Sequence, residues 1–119
     1  MKKEKGEVDY DYEYDILFLG ALKRNYAKSI ELDNVVIDLN HRNEVIGIQI
    51  MDASKFLQLS KKDLLKIPHW QFNVVIKNST IEICLVLKVE IRNKMIEKSK
   101  KINQKLEDKL PEGEILCEA

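Results

Sequence analysis

The residues best equipped for chemistry in this chain are its clustered carboxylates, two histidines, two cysteines and a run of lysines. Asp9, Asp11, Glu13 and Asp15 alternate along the chain, and oxygen ligands of this kind suit a hard cation such as calcium or magnesium. Acids at every second position of a strand point to one side in a row and do not wrap a point, so a solvated face is the expectation. Asp38-Leu39-Asn40-His41-Arg42-Asn43-Glu44 has the acid and amide content of a calcium loop, but Arg42 stands where a ligand is needed and the tight-turn glycine is missing. A hairpin turn accounts for it, because Asn and Asp supply the local backbone hydrogen bonds that a turn requires.

His41 and His69 fall in separate loops, and neither has a second histidine or cysteine at metal-ligand spacing, so zinc is not expected. Cys84 lies among Ile83, Leu85 and Val86 in an apolar strand pattern, where a thiol is a packing residue and not a nucleophile, and Cys117 stands in the tail with no disulfide framework around it. The glycines at 6, 20, 47 and 113 form no phosphate-binding loop, and Trp70 with Phe72 reads as a core anchor at the start of a strand. No catalytic residue, metal or cofactor is expected, and the chain is read as not an enzyme. A ligand or metal held in a pocket lined by Asp15, Asp38 and Asp52 would reverse that reading.

Lys94, Lys98, Lys100, Lys101, Lys105 and Lys109 crowd one stretch near the C-terminus, countered by Glu97, Glu107 and Asp108. Residues 1–54 hold seven Lys/Arg against eleven Asp/Glu, residues 55–110 hold thirteen against six, and the tail adds three glutamates, which brings the whole chain to zero. That polarity along the chain is the feature a partner would sense. The N-terminus is charged throughout, and no apolar run approaches the ~20 residues of a membrane span, so a cytoplasmic protein without a membrane partner is expected.

Periodicity supplies the elements that must position these groups. Val8 to Gly20 reads as two short strands turning near Glu13-Tyr14-Asp15; Ile30 and Leu32, then Val35, Ile37 and Leu39, give strand with a phase shift at Asp33-Asn34; Ile46, Ile48 and Ile50 share a face in the next strand. Asp52 is placed to cap a short helix holding Phe56, Leu57 and Leu59, and Ser60 with Asp63 resembles a capping box before Leu64 and Leu65. Phe72, Val74 and Ile76 form a strand, Asn78-Ser79 a turn, and Ile81 to Ile91 the cleanest alternation in the chain. Met95, Ile102, Leu106 and Leu110 fall at helical spacing, which predicts a helix over about residues 93–110 stopped by Pro111 and Gly113.

The resulting expectation is an α+β domain over residues 1–110, with an acidic tail at 111–119. Its antiparallel sheet would have about six strands, with a short helical segment after the fourth strand and a C-terminal helix. Within it, 8–56 form a β-rich core, 57–92 helical turns plus a hairpin, and 93–110 the helix.

Three segments carry a resemblance. Tyr10-Asp11 before Asp15-Ile16-Leu17-Phe18-Leu19, then Val35-Val36-Ile37-Asp38-Leu39, then Val45-Ile46-Gly47-Ile48-Gln49-Ile50-Met51-Asp52-Ala53-Ser54 together resemble a family of small prokaryotic proteins classed only as a domain of unknown function. The likeness covers about residues 8–56, and its Gly-Ile-x-Ile-x-Asp-Ala-Ser end is the most specific part; Phe18 replaces a usual tyrosine, and the turn at 40–43 lacks a usual glycine. It implies a compact β-rich fold and no known enzymatic activity or cofactor, and through some members of the family it points to an antitoxin-like partner of a small toxin as a class.

Two functions follow from the residues. The first is a non-catalytic interaction module that pairs with itself as a homodimer, or with another small protein, through its sheet edge and the stripe Met95, Ile102, Leu106 and Leu110. The alternative is a nucleic-acid-associated regulator that contacts phosphates through Lys98, Lys101 and Lys105.

Overall fold

The computed structural model describes residues 2–119. Strands β1 (Lys2–Asp11), β2 (Ile16–Ala21), β3 (Tyr26–Leu32), β4 (Val35–Asn40) and β5 (Val45–Ile50) are followed by two short helices, α1 (Ala53–Leu57) and α2 (Lys61–Leu64). Strands β6 (His69–Lys77), β7 (Thr80–Ile91), β8 (Lys94–Lys105) and β9 (Gly113–Glu118) complete the chain. All nine strands join one curled sheet in the order β3-β4-β5-β2-β1-β9-β6-β7-β8. Neighbours run antiparallel except β1 and β9, which are parallel.

Alternation across the pleat fills the core. On β7, Ile81, Ile83, Leu85, Leu87 and Val89 are buried, and on β2, Leu17 and Leu19 meet Ile50 and Ile48 of β5. Residues from both halves of the sheet belong to one apolar cluster, so the curl closes the sheet over a shared interior. A β-bulge opposite Asp38–Leu39 sets Val45, and not Ile46, across from Leu39.

The curl turns on β1. Its residues Lys2–Lys5 pair with Ile115–Glu118 of β9, whereas Gly6–Asp11 pair with Ala21–Ile16 of β2. Gly6 is the changeover point, where a methyl group would lie 2.5 Å from the Gly20 carbonyl oxygen and 2.6 Å from both Cys117 Sγ and Trp70 Cη2. Backbone cannot yield cheaply to such a contact. Gly6→Ala is therefore expected to destabilise the protein by about 2 kcal/mol, read as a lower urea midpoint at unchanged m-value.

The structure corrects the expected α+β arrangement. The segment expected to be the C-terminal helix is β8, a strand of 12 residues paired along its whole length with β7, from Thr80↔Lys105 to Ile91↔Lys94. Arg92 and Asn93 both have positive φ, 52° and 65°, as a two-residue hairpin turn of type I′ requires. Nine strands replace the expected six, one pair is parallel, and the two short helices are the helical content of the described residues. Residues 113–118 of the expected tail supply β9, hydrogen-bonded between β1 and β6.

The two expected helix caps differ in outcome. Ser60 Oγ accepts from the Asp63 amide, as a cap should. Asp52 differs from expectation: it adopts φ 50° and makes no side-chain cap. A carboxylate from outside the segment does that work.

Candidate functional site

That carboxylate is Asp15. Its oxygens accept from the Ser54 amide at 3.0 and 3.3 Å, from Ser54 Oγ at 2.6 Å and from Tyr10 Oη at 2.6 Å, while its backbone carbonyl accepts from the Ala53 amide at 3.0 Å. Burial alone would raise the Asp15 carboxyl, but the bonds from Ser54 and Tyr10, with the charge of Lys61, outweigh it and hold the group below the usual aspartate value. The same burial, together with the bond to Asp15, pushes Tyr10 far up. Tyr10, Asp15 and Ser54 thus tie the β1–β2 turn to the start of α1.

The other motif residues also serve packing. Phe18 lies on the outer face of the sheet against Gly20 and Gly47, whose missing side chains make room for its ring; the glycine in the β5 strand relieves crowding. Arg24 sits 4.5 Å above that ring and bonds Glu7 at 2.8 Å. Asp38, 5% exposed, accepts from Ser29 Oγ at 2.7 Å and Gln49 Nε2 at 2.9 Å. Asp15 and Asp38 engage different partners, and Asp52 is exposed, so the three do not line one pocket.

Among the described residues, no three His, Cys, Asp or Glu side chains converge as a metal site would need. Cys117 is fully buried, and burial, reinforced by Glu4 and Glu118, pushes its thiol up to about 11, which makes it a poor nucleophile. Cys84 faces outward on β7, half-buried, across from Lys101. No described helix is long and apolar enough to cross a membrane.

The fold leaves two sheet edges open, the seven-residue β3, paired only with β4, and the longer β8. β8 ends the sheet order and is paired on one side only, with β7. Its twelve residues include five lysines and one glutamate, a net charge of +4. Alternation splits them: Ile96, Lys98, Lys100, Ile102 and Gln104 are half-buried on the core side, whereas Met95, Glu97, Ser99, Lys101, Asn103 and Lys105 face out. Lys98 and Lys100 stand across from Leu87 and Leu85, and the Lys100 ammonium rests 5.3 Å from the Phe56 ring centre. Of the five lysines, Lys101 alone forms an ion pair among the described residues, with Glu82 at 3.6 Å.

Both residue sets proposed from the sequence map to this region in a changed arrangement. Met95 is 50% exposed on the outer face, Ile102 packs on the core side, Leu106 is 6% exposed and bonds Ser79 across the hairpin, and Leu110 is partly buried against the core. They share no stripe. Lys98 lies on the face opposite to Lys101 and Lys105, so the three do not form the single phosphate-facing surface that a helix would present.

Two archaeal proteins are similar to this chain. A Methanosarcina mazei protein named putative hypoxanthine phosphoribosyltransferase is 31% identical over 92 residues, covering 77% of this chain and 75% of its own length. An uncharacterised protein of Methanocaldococcus jannaschii is 40% identical over 62 residues, covering 52% of this chain and 53% of its own length. No solved structure matches. Residues 7–54, which contain the Tyr10, Asp15 and Ser54 cluster and the two glycines under Phe18, match the family described as protein of unknown function (DUF2283), and the chain belongs to that family.

Proposed function

We propose that this protein is a non-catalytic interaction module that docks a segment of another protein along β8. The observation that carries the reading is the unpaired 12-residue edge with its net charge of +4. An exposed edge is a template for strand addition, in which backbone hydrogen bonds give affinity and alternate side chains give specificity. Lysines on two faces of one strand suit a partner strand lying alongside better than a nucleic-acid backbone lying across one face. They also weigh against pairing of two β8 edges, which would set +4 against +4.

The test is capture from native lysate with and without nuclease treatment, with the wild type and the double variant Lys98→Glu, Lys101→Glu in parallel. A stoichiometric protein held by the wild type and lost by the variant supports the reading; nucleic acid as the retained species overturns it. The name of the Methanosarcina mazei relative supplies a competing proposal, phosphoribosyl transfer to hypoxanthine. Turnover of that reaction by the purified protein would replace the interaction reading.

A further inference from the structure

Resting on the edge-docking reading, we infer that β8 specifies its partner's sequence: an extended acidic segment with acids opposite Lys98, Lys100 and Lys101, flanked by apolar residues opposite Ile96 and Ile102. The derivation uses the two faces of the strand. On the core side, β8 presents Ile96, Lys98, Lys100 and Ile102 in succession. Its existing neighbour answers the two isoleucines with Val89 and Ile83, but answers the two lysines with Leu87 and Leu85, so neither ammonium meets a carboxylate across the β7 ladder. An incoming strand faces the same four residues from the other side, and opposite charges directly across a strand pair stabilise it while like charges oppose it.

The core-side row is symmetric and sets composition without direction. Direction comes from the outer row, Glu97, Ser99 and Lys101, which carries an acid at one end and a cation at the other. In the antiparallel sense, the more stable pairing per residue, the partner reads from its N-terminus apolar, acidic, acidic, small polar, acidic, basic, apolar. These positions lie opposite Ile102, Lys101, Lys100, Ser99, Lys98, Glu97 and Ile96 in turn. A peptide with the central sequence Val-Glu-Glu-Thr-Glu-Lys-Val fits every position. A nucleic acid cannot satisfy this pattern, because it offers no apolar residue at each end and no cation for Glu97.

The experiment measures binding of four fluorescent probes to the full-length protein by anisotropy: this peptide, a composition-matched permutation that puts glutamates opposite the isoleucines, a charge-swapped peptide Val-Lys-Lys-Thr-Lys-Glu-Val, and a single-stranded oligonucleotide. The matched peptide is expected to bind about tenfold tighter than the permutation and to slow exchange of alternate β8 amides. In the variant Lys98→Glu, Lys100→Glu, checked for folding by circular dichroism, the preference should reverse toward the charge-swapped peptide. Equal binding of matched and permuted peptides, both protecting β8, would overturn the sequence rule and leave edge docking in place. Binding of no peptide, self-association through β8, or tighter binding of the oligonucleotide would overturn both.

Discussion

Ending the chain after Leu110 is expected to abolish cooperative folding. Residues 113–118 form the strand that joins the two halves of the sheet: Ile115–Glu118 pair with Lys2–Lys5, and Gly113–Glu118 pair with Ile76–Gln71. Their removal would strip both β1 and β6 of a ladder and expose the core where Ile115 and fully buried Cys117 now sit. A true exposed tail would be lost at a cost within about 0.5 kcal/mol. Here the loss of two ladders and two buried side chains exceeds the ~5–15 kcal/mol margin on which a domain of this size rests only if the effects combine, and they do combine, because the same strand supplies all of them. The measurement is thermal unfolding by circular dichroism with amide dispersion in a proton–nitrogen spectrum. A truncated protein that keeps a sharp transition and dispersed amides would show that β9 is dispensable.

The same strand shows where the sequence stops being legible. Gly113-Glu114-Ile115-Leu116-Cys117-Glu118 is short and follows Pro111, with only Ile115 and Cys117 alternating inward. Such a pattern has no periodic signal long enough to separate it from a polar tail, and its parallel pairing with β1 is a contact across nearly the whole chain. β8 hid for a different reason. Its core-side positions include Lys98 and Lys100, which is a device of edge strands, so the period-two signal vanished while Lys and Glu enrichment favoured helix. The signal that marks the hairpin is Arg92-Asn93, since Asn tolerates the positive φ of a two-residue turn. By contrast Ile81 to Val89 and Val35 to Leu39 are legible, because alternate apolar residues of each meet the core along a full ladder, even though Val36 and Asp38 on the other face of β4 are buried as well. The basic segment was visible as a charge cluster, and only its backbone geometry turned it from a helical face into an edge.

Asp15→Ala is expected to cost about 3–4 kcal/mol, the largest effect of any single substitution considered. The carboxylate is 8% exposed and takes three donors, the Ser54 amide, Ser54 Oγ and Tyr10 Oη. Truncation leaves those donors in a buried site, and each unsatisfied group costs ~1–3 kcal/mol, partly relieved where water can enter. Asp15→Asn keeps the size but loses the charge that strengthens these bonds, so it should fall between the two. Because the folded-state value of Asp15 lies below its ordinary one, the stabilisation is present above the unfolded value of about 4 and is lost as pH falls through the folded value. Wild-type stability should therefore drop as pH is lowered below about 4, while Asp15→Asn should show a flatter acid limb. Tyr10 works in the opposite sense: its raised value means the stabilisation is present below about pH 10 and is lost only at higher pH. Urea titrations across acid and alkaline pH read both limbs. Parallel acid limbs in the wild type and Asp15→Asn would remove Asp15 as the bond between the β1–β2 turn and α1.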